Sequence, residues 1–71
     1  MTRVDFDRQL YAGTAVDEAV KVFAPHAAFT LTEEPRAWVV KVEASEPGLE
    51  REIVRELQNY ALGLTIKGRG A

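Results

Sequence analysis

Residues 28–44, AFTLTEEPRAWVVKVEA, contain two alternating segments separated by a short turn-forming stretch. In the first segment, Phe29 and Leu31 alternate with threonines, which is the period-two pattern of a strand with one buried face. The second segment, residues 37–44, alternates in the same way and is richer in valine. Between them, residues 33–36 read EEPR, and proline with charged residues is typical of a turn. The stretch therefore predicts a β-hairpin.

A strand and a helix are predicted before this hairpin. Val4 and Phe6 alternate with charged residues, which indicates a first strand ending near Gln9. After a glycine, Thr14 is expected to cap a helix, because its hydroxyl can accept a bond from a free N–H of the first turn. Apolar residues then recur at helical spacing until Pro25, which should end the helix.

A second helix is predicted after the hairpin. Ser45 is the expected cap, and Pro47 suits a first helical turn. Gly63 is the expected end, and residues 64–67 could form a short last strand or fray. The acidic and basic side chains, Glu50 among them, are assigned to the solvated face. The apolar residues build one broad stripe: Leu49, Ile53, Val54, Leu57, Tyr60, Ala61 and Leu64.

The resulting order, β-α-β-β-α with an optional final β, predicts an α+β fold of two layers. Two helices would cover one face of an antiparallel-rich sheet, in a ferredoxin-like arrangement or a truncated version of it. A chain of 71 residues has room for a single hydrophobic core. We therefore expect one small domain over residues 1–67 and a disordered tail over residues 68–71.

Composition narrows the possible functions. The nine Lys and Arg residues are spread among eleven Asp and Glu, which disfavours nucleic-acid binding. The absence of cysteine excludes disulfides, thiolate metal sites and a cysteine nucleophile in this sequence. The N-terminal residues lack the apolar core of a signal peptide, and no apolar run is long enough to span a membrane. We expect a cytoplasmic protein without membrane attachment.

Residues with catalytic potential are few. His26 is the only histidine, and it follows Pro25 at the exit of the first predicted helix, where a solvent-exposed position is the simplest interpretation. Asp5 and Asp7 share one face of the first strand, but that face is expected to be solvated. We therefore predict a protein that is not an enzyme, with no cofactor and no metal site.

Backbone groups offer a more general way to bind a partner. A small open sheet has edge strands, and an unblocked edge can receive a peptide as an additional strand. Peptide or protein binding is thus the leading prediction from the residues, and dimerisation through the same kind of edge is the alternative. Most aromatic residues should fill the core, and Trp38 or Tyr11 are the ones expected to reach the surface.

Two stretches of the sequence carry a family resemblance: LYAGTAVDEAVKVFAPHAAFTLTEEPRAWVVKVEA, residues 10–44, and VRELQNYALGL, residues 54–64. Both resemble the pattern of the HxsD family. Leu10 and Tyr11 match the first element of the family pattern, and Phe23 matches the aromatic residue that ends its first helix. The matches to its late helical signature are Leu57, Tyr60 and Leu62. The sequence departs from this signature at other positions. Gln58 and Asn59 replace related polar residues, Glu56 replaces a leucine, and Gly63 with Leu64 replaces an Arg-Glu pair.

The resemblance implies a function that the residue chemistry alone does not. HxsD proteins are the small components of a system in which radical S-adenosylmethionine enzymes modify His-Xaa-Ser repeat peptides. A member would be a non-catalytic accessory protein that binds the peptide, the radical enzyme, or both. Tyr11, Trp38 and Tyr60 are the residues expected to contact such a partner. The alternative is a homodimeric interaction module that delivers no peptide.

Overall fold

The structure is a computed structural model and describes residues 1–70 of the chain, with side chains up to residue 68. Five main elements follow one another, with a turn of 3-10 helix between the first helix and the second strand. In chain order, these elements and the turn are β1 (Thr2–Asp7), α1 (Gly13–Phe23), the 3-10 turn (Ala24–His26), β2 (Ala28–Glu33), β3 (Ala37–Glu43) and α2 (Pro47–Gly70).

The sheet has three strands in the order β1-β3-β2, and β3 is antiparallel to both neighbours. In the register, Val40 lies opposite Val4 on one side and opposite Leu31 on the other. Side chains in such a row share one face of the sheet. The hairpin predicted over residues 28–44 is therefore confirmed, with β1 on its far side.

Both helices pack on this face, which we call the helix-facing side; the other is the open side. The core contains residues from the sheet and both helices: Val4, Phe6, Val16, Ala19, Val40, Val42, Ile53, Leu57 and Ala61. Burying apolar side chains from all these elements is the main favourable contribution to folding. The predicted two-layer α+β fold with β-α-β-β-α order is confirmed.

The start of α1 differs from the prediction. Thr14 does not cap the helix, because the helix begins at Gly13 and the cap position falls on Ala12, which has no side-chain hydroxyl. The carbonyl of Ala12 accepts the first bonds, from the N–H groups of Ala15 at 3.0 Å and Val16 at 3.1 Å. β1 also ends at Asp7 rather than near Gln9, because the Asp7 side chain accepts a bond from the Gln9 N–H at 2.8 Å and starts a turn.

The two ends of α2 also differ from the prediction. At its start, the Glu50 N–H bonds to the Glu46 carbonyl at 2.9 Å, so the cap position is Glu46 rather than Ser45. At its end, the helix does not stop at Gly63 but continues to Gly70, and residues 64–67 are helical.

Thr65 supplies the reason for the longer helix. Its side chain is buried, donates to the Ala61 carbonyl at 2.9 Å and accepts a bond from the Ala12 N–H at 3.2 Å. This contact joins the late turns of α2 to the start of α1. Among residues 1–70 the fold is thus the truncated version, without a fourth strand. The disordered tail over residues 68–71 stays a prediction, and Ala71 lies outside the described residues.

Candidate functional site: a groove between α1 and the edge strand β2

Trp38 lies at the centre of an open apolar site. Its indole Nε1–H donates to the Tyr11 carbonyl at 3.3 Å, and the Arg8 guanidinium carbon stacks 4.1 Å from the ring centroid. The ring also lies against Gly13, where an added Cβ would be 2.6 Å from the Trp38 Cζ2 atom. Gly13 is therefore needed for this close approach of helix and ring.

Beside this ring is a groove of about 560 Å³, which we call the α1–β2 groove. Leu31 and Trp38 give it an apolar floor, and Leu31 keeps 38 % of its surface exposed. Asp17 and Glu33 add carboxylates on its two sides. Its lining residues are Gly13, Thr14, Asp17, Leu31, Glu33 and Trp38.

The two carboxylates are held in place by basic residues. Lys21 Nζ lies 2.9 Å from an oxygen of Asp17, and this hydrogen bond raises the pKa of Lys21. Arg8 Nη2 lies 3.3 Å from an oxygen of Glu33. Exposed pairs of this kind contribute little stability, so the carboxylates can accept further donors from a ligand.

The backbone of β2 forms the outer border of the groove. The Glu34 N–H donates to the Ala37 carbonyl at 2.9 Å, in the same register that pairs Thr32 with Val39. Because bonding alternates along an antiparallel pair, even-numbered residues of β2 bond to β3. The odd-numbered residues, Phe29, Leu31 and Glu33, therefore direct their N–H and C=O groups away from the sheet.

The edge formed by β1 has a different character. The Arg8 N–H donates to the Arg36 carbonyl at 3.1 Å, so the same alternation directs the backbone groups of Arg3, Asp5 and Asp7 outward. On the open side, Arg3 Nε donates to Asp5 Oδ1 at 2.8 Å, and this bond raises the pKa of Arg3. This edge carries charge, whereas β2 carries threonine and apolar residues over most of its length.

The structure brings together two of the three predicted contact residues. Tyr11 and Trp38 share a hydrogen bond, and the Tyr11 ring packs edge-on against Phe6 with centroids 4.9 Å apart. Tyr60 lies elsewhere, on the helix layer, where its ring packs edge-on against Phe23 with centroids 5.8 Å apart. Their contact with a partner stays a prediction.

Glu50 lies outside the groove, and its predicted position on the solvated face is wrong. The residue is buried, with only 9 % of its surface exposed. Its carboxylate accepts bonds from the Thr2 hydroxyl at 2.6 Å and the Ala44 N–H at 3.0 Å, and the N-terminal ammonium is 3.4 Å away. The Thr2 bond, followed by the Ala44 bond, lowers the pKa of Glu50. Its helical spacing from Ile53 and Leu57 puts Glu50 on the apolar stripe of α2. This spacing is the signal in the sequence that indicates its burial.

The residues with catalytic potential lie towards opposite edges of the sheet. His26 is exposed in the 3-10 turn that leads into β2, whereas Asp5 lies on β1, at the opposite edge. Residues 1–70 contain no group of three or more His, Cys, Asp or Glu side chains that could hold a metal ion. No helix in the described part of the chain is both long and apolar enough to cross a membrane.

Comparisons of the chain with protein-family models, with curated proteins and with solved structures found no match. The resemblance to the HxsD family therefore stays an expectation.

Proposed function

We propose that this protein is a non-catalytic peptide-binding protein that accepts an extended segment of a partner along the open edge of β2. The observation that carries the proposal is the outward backbone of Phe29, Leu31 and Glu33 beside a groove with an exposed apolar floor. Backbone pairing would supply affinity, and the groove would select side chains.

The geometry fits one added strand beside β2, next to the α1–β2 groove. An added strand would lie about 4.8 Å from β2, and every second side chain would point to the helix-facing side. Those side chains would enter the α1–β2 groove, whose volume falls within the range of about 300–1,000 Å³ of ligand sites. An apolar or aromatic side chain could cover Leu31 and contact the part of the Trp38 ring that lines the groove.

The resemblance to HxsD suggests which peptide to test. We propose a His-Xaa-Ser repeat peptide as the bound segment, in the cytoplasm, with a radical S-adenosylmethionine enzyme as the protein that receives it. The groove suits a histidine side chain, because Leu31 and Trp38 line it with apolar surface, while Asp17 and Glu33 offer acceptors for the N–H of a neutral imidazole or for both N–H groups of an imidazolium.

Substitution of Leu31 tests this proposal. In Leu31→Lys, a charged side chain stands in the groove beside the open edge, a device that blocks strand addition. Thr30→Lys is the matched control, because Thr30 is on the same strand but faces the open side. In a titration of a fluorescent His-Xaa-Ser repeat peptide, we expect Leu31→Lys to weaken binding at least about tenfold, and Thr30→Lys to bind like the wild type.

Two results would decide against the proposal. Equal weakening by both lysine variants would show that the groove is not the site, and absence of binding by the wild-type protein would reject the His-Xaa-Ser peptide. An enzymatic role makes a different prediction, namely loss of activity on changing His26 or Asp5. We expect His26→Ala to leave peptide binding unchanged, because His26 does not line the groove.

A further inference from the structure

The second open edge, formed by β1, carries a charge pattern that is complementary to itself. Along its open side the side chains are Arg3, Asp5 and Asp7, and all three are exposed. The same residues direct their backbone groups outward, as the Arg8 to Arg36 bond shows. Within the described chain, no strand pairs with this edge.

Only a few registers allow two β1 strands to pair with each other. In an antiparallel pair related by a two-fold axis, the outward residues must face outward residues of the second copy. Centred on Val4, this places Arg3 opposite Asp5 of the second copy, and Asp5 opposite its Arg3. Centred on Asp5 instead, the pairing would place two aspartates directly opposite, which is unfavourable.

We propose that β1 is a homodimer interface in which two copies pair antiparallel around Val4. The three-stranded sheets would join into one continuous sheet, with β2 of each copy at its two ends. Each Arg3 already bonds to Asp5 of its own strand at 2.8 Å and lies 3.8 Å from an oxygen of Glu34, and it gains a further carboxylate from the other copy. The interface does not involve the α1–β2 groove, so it does not depend on the proposed peptide binding.

Opposite charge changes test the register directly. Sedimentation velocity over a range of concentrations should show a monomer–dimer equilibrium for the wild type. Arg3→Asp places only carboxylates on the interface, and Asp5→Arg places arginines opposite one another, so each variant alone should be monomeric. An equimolar mixture of the two should recover dimers, because each chain then offers the charge that the other needs.

The mixture separates pairing between copies from the ion pair within one strand, which mixing cannot restore. Leu31→Lys is the control for the β2 edge and should dimerise like the wild type. Circular dichroism should confirm that every variant is folded. A monomeric wild type at all concentrations, dimers in both single variants, or a mixture that stays monomeric would overturn the proposal. A dimer that only Leu31→Lys abolishes would assign the interface to β2 instead.

Discussion

Gly13 is the residue on which the position of the Trp38 ring depends. A methyl group at this position would lie 2.6 Å from the ring, so Gly13→Ala must displace either the helix or the indole. We expect a loss of about 1–3 kcal/mol in unfolding free energy, typical of overpacking, measured by urea denaturation. Trp38 is the only tryptophan, so its emission should shift as well.

The control for this substitution is Gly63→Ala. Nothing lies within 4 Å of an added Cβ at Gly63, and the residue is exposed inside α2. Alanine should therefore raise stability by about 1 kcal/mol through helix propensity. A Gly13→Ala variant that is as stable as the wild type, with unchanged Trp38 emission, would contradict the packing described for the groove.

Glu50 makes stability depend on pH. Its pKa is lowered in the folded protein from an ordinary value of 4.5, because the charged form accepts bonds from Thr2 and Ala44. Its contribution is therefore fully present above about pH 4.5 and is lost as the pH falls through the folded pKa. We expect Glu50→Gln to lower the melting temperature at pH 7 and to flatten its decline in acid.

Melting curves between pH 7 and pH 3 would check this expectation, with Glu52→Gln as the control. Glu52 is exposed on the same helix, so its variant keeps every Glu50 contact and should follow the wild-type curve. A Glu50→Gln curve parallel to that of the wild type would show that the Thr2 and Ala44 bonds do not depend on the charged form.

At the scale of elements, Thr65 determines how α1 and α2 meet. Replacing it with valine keeps the shape of the side chain but removes the acceptor for the Ala12 N–H. We expect Thr65→Val to cost about 1 kcal/mol in unfolding free energy through the lost hydrogen bond. Thr65→Ser retains the hydroxyl but loses a buried methyl group, so its cost measures the packing of that methyl. Urea denaturation measures both. A Thr65→Val variant as stable as the wild type would show that the hydroxyl does not stabilise the junction.

Local patterns explain which elements were predictable. Alternation in the strands and helical spacing in the helices depend on nearby residues, so the hairpin and the two-layer order followed from the sequence. The incorrect predictions concern residues whose structure depends on a contact with a residue that is distant in sequence. The Thr65 bond to Ala12 spans 53 positions and the Glu50 bond to Thr2 spans 48, so neither partner was visible in the local pattern. The local pattern likewise predicts a helix end at Gly63, because the Thr65 contact with Ala12 is distant in sequence.

At the scale of the whole molecule, the strand order determines where partners can bind. A small sheet is expected to have two open edges, and Tyr11, Trp38 and Tyr60 are the residues predicted to contact a partner. The order β1-β3-β2 adds that the two edges differ, one charged and one bordering a groove. The two edges can be distinguished only from the register of strand pairing, because the sequence alone does not show which backbone groups point outward.

Amide hydrogen exchange measured by NMR tests the central claim, strand addition at β2, most directly. In the free protein, the outward N–H groups of Phe29, Leu31 and Glu33 should exchange rapidly, while those of Thr30 and Thr32 are protected by β3. Saturating His-Xaa-Ser repeat peptide should slow the three outward amides at least about tenfold, the change expected if each becomes hydrogen-bonded in the complex. Binding that protects other amides and leaves these three unchanged would contradict the account.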